Sequence, residues 1–77
     1  MALPLATTNM WQSRTLGYDE IWQAAEGPVQ IDNATDPAQR AGIILEAGHT
    51  IQLTAGTVVY YRRANPTQLA FINIMGL

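Results

Sequence analysis

His49 is the only imidazole in these 77 residues, and it stands beside Gly48 in a segment that reads as a tight turn. Ser13 and the threonines could serve as hydroxyl nucleophiles, but none has the strand-to-helix elbow context that activates one. The six carboxylates are scattered along the chain. Asp19 and Glu20, the adjacent pair, point to opposite faces of an extended chain, which keeps them apart as acid and base. Cysteine is absent, so one histidine alone cannot build the usual zinc site. Gly42, Gly48 and Gly56 are single glycines at turn spacing and do not form a phosphate loop. These residues predict no catalytic group, no metal ligand and no cofactor, so the chain is expected not to be an enzyme.

What remains is chemistry of contact. Trp11, Tyr18, Trp22, Tyr60 and Tyr61 could form a platform for a sugar ring or another apolar ligand, or they could pack in a core or an oligomer contact. All four basic residues are arginines (Arg14, Arg40, Arg62, Arg63), the cation that interfaces favour over lysine. Only 13% of residues are charged and 48% are hydrophobic, so little of the surface is built for water. The net charge of -2 and the lack of a basic run argue against nucleic acid. Met1 to Asn9 lacks the features of a signal peptide, and no stretch approaches the roughly 20 apolar residues of a membrane span, so a cytoplasmic product with no membrane partner is expected.

Size limits how such contacts can be held. A single domain of this length hides only about 60% of its unfolded surface and usually needs a staple. Without disulfides or zinc, that staple is oligomerisation or docking onto a larger body.

The elements are strands. Leu45-Glu46-Ala47-Gly48 and Leu53-Thr54-Ala55-Gly56 repeat a Leu-x-Ala-Gly turn, which predicts a meander of Ile43 to Leu45, Thr50 to Leu53 and Thr57 to Arg62. Met10 to Leu16, Val29 to Asp32 and Leu69 to Met75 read as further strands. Glu20 to Gln23 also suits a strand through Ile21 and Trp22, although Asp19 could instead cap a short helix ending at Gly27. Asn33 to Ala41 reads as the main surface loop, with one helical turn possible after Asp36-Pro37. Met1 to Asn9 reads as an extended arm in which Leu3 and Leu5 are apolar anchors, with a frayed terminus as the alternative. The expected fold is all-β: a small β-sandwich or β-barrel of about six short strands over residues 10–77, with the arm over residues 1–9.

Two strands are apolar on both faces. Val58 and Tyr60 alternate with Val59 and Tyr61, while Leu69, Phe71 and Met75 alternate with Ala70, Ile72 and Ile74. One face of each must enter the core and the other a contact with a second chain. The interface candidates are Leu3, Leu5, Trp11, Trp22, Val59, Tyr61, Arg62, Phe71 and Ile72.

The run GIILEAGHTIQLTAGTVVYYRR, from Gly42 to Arg63, resembles the small all-β virion proteins of tailed bacteriophages, through its Leu-x-Ala-Gly turns and the Thr-Val-Val-Tyr-Tyr-Arg strand. The likeness extends over roughly Val29 to Ile74. It implies a non-enzymatic capsid decoration or cement protein, commonly a trimer, that stabilises the phage head by binding between major capsid subunits through extended terminal arms. It implies a virion location after synthesis in the host cytoplasm. A tail or receptor-binding module with an aromatic carbohydrate-binding surface is the alternative.

Overall fold

Val29 to Asp32 and Thr50 to Leu53 alternate apolar with polar residues, and these and the other short extended runs become strands whose side chains point alternately inward and outward. The computed structural model describes residues 3–33 and 42–76. Its strands are β1 (Leu3–Ala6), β2 (Gln12–Thr15), β3 (Glu20–Ala25), β4 (Val29–Asp32), β5 (Ile43–Leu45), β6 (Thr50–Leu53), β7 (Val58–Arg63) and β8 (Phe71–Gly76). The fold is all-β as expected and, of the two expected forms, the sandwich, with eight strands where about six are expected. No helix among the described residues is long and apolar enough to cross a membrane. The possible helical turn after Asp36 lies outside the described residues.

Two antiparallel sheets face each other. The first has the order β1-β8-β3-β6 and the second β2-β7-β4-β5. Successive strands therefore change sheet at every connection except that from β4 to β5. This is the topology of the jelly roll, an architecture used by viral capsid and lectin domains among others.

That topology corrects the meander. β5 pairs with β4, β6 with β3, and β7 with β2 and β4, so the two Leu-x-Ala-Gly turns are crossings between sheets and not hairpins. Gly48 and Gly56 lie at φ 89° and 86°, and the N–H after each glycine donates back across the turn, from His49 to Glu46 O at 3.0 Å and from Thr57 to Thr54 O at 3.3 Å. A positive φ at the third turn position is what a type II turn requires of glycine. Each turn is then clamped to an earlier segment. Gly48 N–H donates to Ala24 O at 2.7 Å, and Gly56 N–H to Leu16 O at 2.8 Å. An eight-residue turn period suits a hairpin and a crossing equally well, so only the pairing partners decide.

The arm is also a strand. Leu3 to Ala6 pairs antiparallel with β8, from Leu3 opposite Ile74 to Ala6 opposite Phe71. Leu5 turns inward against the core, while Pro4 and Ala6 face out. A proline is tolerated here because β1 is an edge strand and need not donate on its free side. Beyond β1, the buried Thr7 hydroxyl donates to Ala70 O at 2.7 Å, and Thr8 O accepts the Arg63 N–H at 2.9 Å. Residues 3–8 are thereby sewn to both sheets.

The core between the sheets holds Leu16, Trp22, Ala24, Val29, Ile31, Leu45, Val59, Tyr61, Ala70, Ile72 and Ile74. Trp22 on β3 meets Tyr61 on β7 edge to face, with ring centroids 5.7 Å apart and planes at 84°. An inner strand of each sheet supplies one ring.

Candidate functional site

The interface candidates divide by strand phase. Trp22, Val59, Tyr61 and Ile72 are buried in the monomer, so their place in an interface is corrected to the core. The reason is register: Gln12 and Arg14 of β2 oppose Tyr61 and Val59 on the inner side, and Ile72 and Ile74 stand opposite Ala24 and Trp22. Leu5 is a core neighbour through the same phase. Leu3 contributes backbone pairing to β8. Phe71, Trp11 and Arg62 remain on outer faces, half-buried, Phe71 on the first sheet and the other two on the second.

The outer face of the first sheet is built in three rows. Met75, Ile21 and Gln52 form one; Pro4, Asn73, Gln23 and Thr50 form the second; Ala6, Phe71 and Ala25 form the third. No charged side chain occurs in these rows, and Ile21, Phe71 and Met75 are each only partly covered. Association does not have to strip water from an ion there, which lowers the cost of burying such a face.

The outer face of the second sheet differs. Trp11 continues the register of Gln12 opposite Tyr61 by one residue and so stands opposite Arg62, with Gln30 and Ile44 completing the row. The Arg62 guanidinium carbon lies 4.5 Å from the Trp11 ring centroid, and Arg62 Nε donates to Gln30 Oε1 at 2.8 Å. Ser13, Tyr60 and Asp32 form the next row. Of the tryptophans and tyrosines, Trp11 and Tyr60 are thus on one outer face, Trp22 and Tyr61 are in the core, and Tyr18 is exposed in the β2–β3 connection.

One buried charge was not among the expected features. Glu20 is only 4% exposed and lies in phase with Trp22 and Ala24 on the inner face of the first sheet. It accepts hydrogen bonds from Arg14 Nε at 3.2 Å, Arg14 Nη2 at 3.0 Å and Trp22 Nε1 at 2.9 Å. Arg14 comes from β2, so this fork ties the two sheets together. The hydrogen bond from Arg14, aided by that from Trp22, holds the Glu20 carboxyl below its ordinary value, while the same bond raises Arg14. A carboxylate in the apolar phase of a strand was the available signal, since such a group must meet a cation or a donor. Its neighbour Asp19 points outward and accepts the Ala55 N–H at 2.8 Å.

His49 is exposed at the end of its turn. Among the described residues no group of three or more His, Cys, Asp or Glu side chains could hold a metal ion. A cavity of about 360 Å3 opens between β5 and β6, lined chiefly by Ile31, Ile43, Ile51, Leu53 and Val59 with Asp32 beside them. Comparison of the chain with family models, with curated proteins and with solved structures finds no match.

Proposed function

We propose that the chain is a non-enzymatic virion structural protein of the capsid decoration or cement type, which self-associates, as a trimer by the resemblance above, and binds between major capsid subunits. The observation that carries the self-association is the outer face of the first sheet, where Ile21, Phe71 and Met75 lie among neutral side chains without a single charge. A face without charge that leaves Ile21, Phe71 and Met75 partly exposed suits contact with another protein surface. The virion location is supported by the likeness of Gly42 to Arg63 to small phage proteins and by the jelly-roll strand order, an analogy at the level of fold. Residues 3–8, now a strand and its anchor, give the docking role of a free arm to the sheet faces instead.

The test is the mass of the isolated protein in solution, followed by co-sedimentation with intact and empty phage heads. An oligomer that sediments saturably with heads is expected. A monomer that stays in the supernatant at all concentrations would remove the reading.

The second reading is a tail or receptor-binding module, favoured by Trp11 and Tyr60 on the outer face of the second sheet. It predicts a saturable change in tryptophan fluorescence with one member of a glycan panel. The cover of Arg62 over the Trp11 ring leaves less aromatic face for a sugar, which ranks this reading second.

A further inference from the structure

Arg62 is held on two sides, and neither neighbour is an acid. Its guanidinium carbon lies over the Trp11 ring, and its Nε–H donates to Gln30 Oε1. Gln30 is itself held in place: a Cβ added at Gly42 would fall 2.7 Å from Gln30 Cγ, so the glycine, at φ 74°, leaves the space that the Gln30 stem occupies. Among the described residues the ion pair is Arg14 with Glu20, and Arg62 takes no part in it. Asp32 on the same face is two residues further along β4, and its Oδ2 accepts the Gly42 N–H at 2.7 Å.

We infer that the Nη edge of Arg62 is a seat for one carboxylate, supplied by an acidic side chain of the protein on which this chain docks. The inference rests on the docking function proposed above and names the chemistry of one contact in it. The guanidinium fork matches a carboxylate bidentately, and Trp11 and Gln30 have already removed much of the freedom that binding would otherwise have to freeze. The group is half-buried, so its field is less screened than that of a fully solvated arginine. The ring that could have stacked a sugar is occupied by the guanidinium, so this row presents a charged edge where a sugar platform would present an aromatic face. Charge complementarity therefore selects an acidic side chain as the occupant.

The probes are the blocked tripeptide acetyl-Ala-Glu-Ala-amide and its Gln counterpart, titrated into the 15N-labelled full chain at low salt. The Arg62 Nε–H and Trp11 indole N–H resonances should shift and approach saturation with the Glu peptide alone. Arg62→Lys, which keeps the charge and loses the fork, should weaken the response by about tenfold. Equal shifts with both peptides, or a response that survives Arg62→Gln in a folded variant, would overturn the seat. Co-sedimentation with phage heads is the second arm. Loss of attachment by Arg62→Gln supports the seat as a docking contact, and undiminished attachment overturns it. If the unaltered protein ignores heads while the Glu peptide still binds, the capsid reading falls and the carboxylate seat stands.

Discussion

The two sheets bury equivalent inner faces and present unlike outer ones. On the first, three rows carry only neutral side chains, with Ile21, Phe71 and Met75 half-covered. On the second, Arg62 is fixed between Trp11 and Gln30, and Asp32 stands in the next row beside Tyr60. A neutral face can be buried over a broad area with little desolvation cost, while an oriented cation selects one charged partner and adds little elsewhere. Under the function proposed above, this difference is a division of labour, with the first sheet in contact between like copies and the second in recognition of a different surface.

The largest effects are expected inside the shared core. Tyr61→Asp or Val59→Asp places a carboxylate in the shared core and should cost several kcal/mol, enough to unfold a domain of this size, whereas Tyr60→Asp or Val58→Asp one residue away should leave the circular dichroism spectrum intact. Folded Tyr61→Asp protein would mean that the inner and outer phases of β7 are reversed.

Removing Met1 to Thr8 takes away the edge strand of the first sheet and one tie to the second, the Arg63 N–H bond to Thr8 O. The loss includes a four-residue strand, the Leu5 contact, worth about 1.5–3 kcal/mol if fully buried, and the Thr7 hydrogen bond, worth about 1 kcal/mol. The truncated chain should melt far lower or fail to fold in thermal denaturation. An unchanged melting temperature would restore the arm as a separate appendage.

The tie between the sheets comes next. Glu20→Gln should cost about 2–3 kcal/mol, below the full value for a broken buried pair because the Arg14 side chain keeps 31% exposure. The sign of the pH effect follows from the lowered Glu20 carboxyl. Its stabilisation is complete above its unfolded value near 4.5 and is lost as pH falls through the lower folded value. Denaturant midpoints measured down the acid range should therefore fall in the parent more than in Glu20→Gln, and parallel curves would deny the fork its role. Tyr61 behaves oppositely: burial raises its hydroxyl, so its contribution persists at neutral pH and is lost as pH rises beyond 10.

The smallest change in stability carries the sharpest comparison. Met75→Asp and Phe71→Asp alter half-covered outer positions and should cost the monomer fold about 1 kcal/mol, yet reduce the solution mass to that of a monomer. Tyr60→Asp on the second sheet should leave the oligomer unchanged. An oligomer lost in Tyr60→Asp and kept in Met75→Asp would exchange the roles of the two faces.

The local residues determined much by themselves. Alternation set the strand at Val29–Asp32, and the repeated Leu-x-Ala-Gly turns bounded those at Ile43–Leu45 and Thr50–Leu53, all with their observed bounds, because period and positive φ are properties of a few neighbouring residues. Alternation also showed that Val58 and Tyr60 oppose Val59 and Tyr61, but not which pair lies inside. That choice belongs to the register of β7 between β2 and β4, and a face that is apolar on both sides offers no local preference. The same limit hid the pairing of the first residues with β8, some 70 positions away in the chain, the crossing of each turn between sheets, and the rows that bring Trp11, Arg62 and Gln30 together. Which segments lie side by side is set by the closure of one shared core, so only the tertiary structure could decide it.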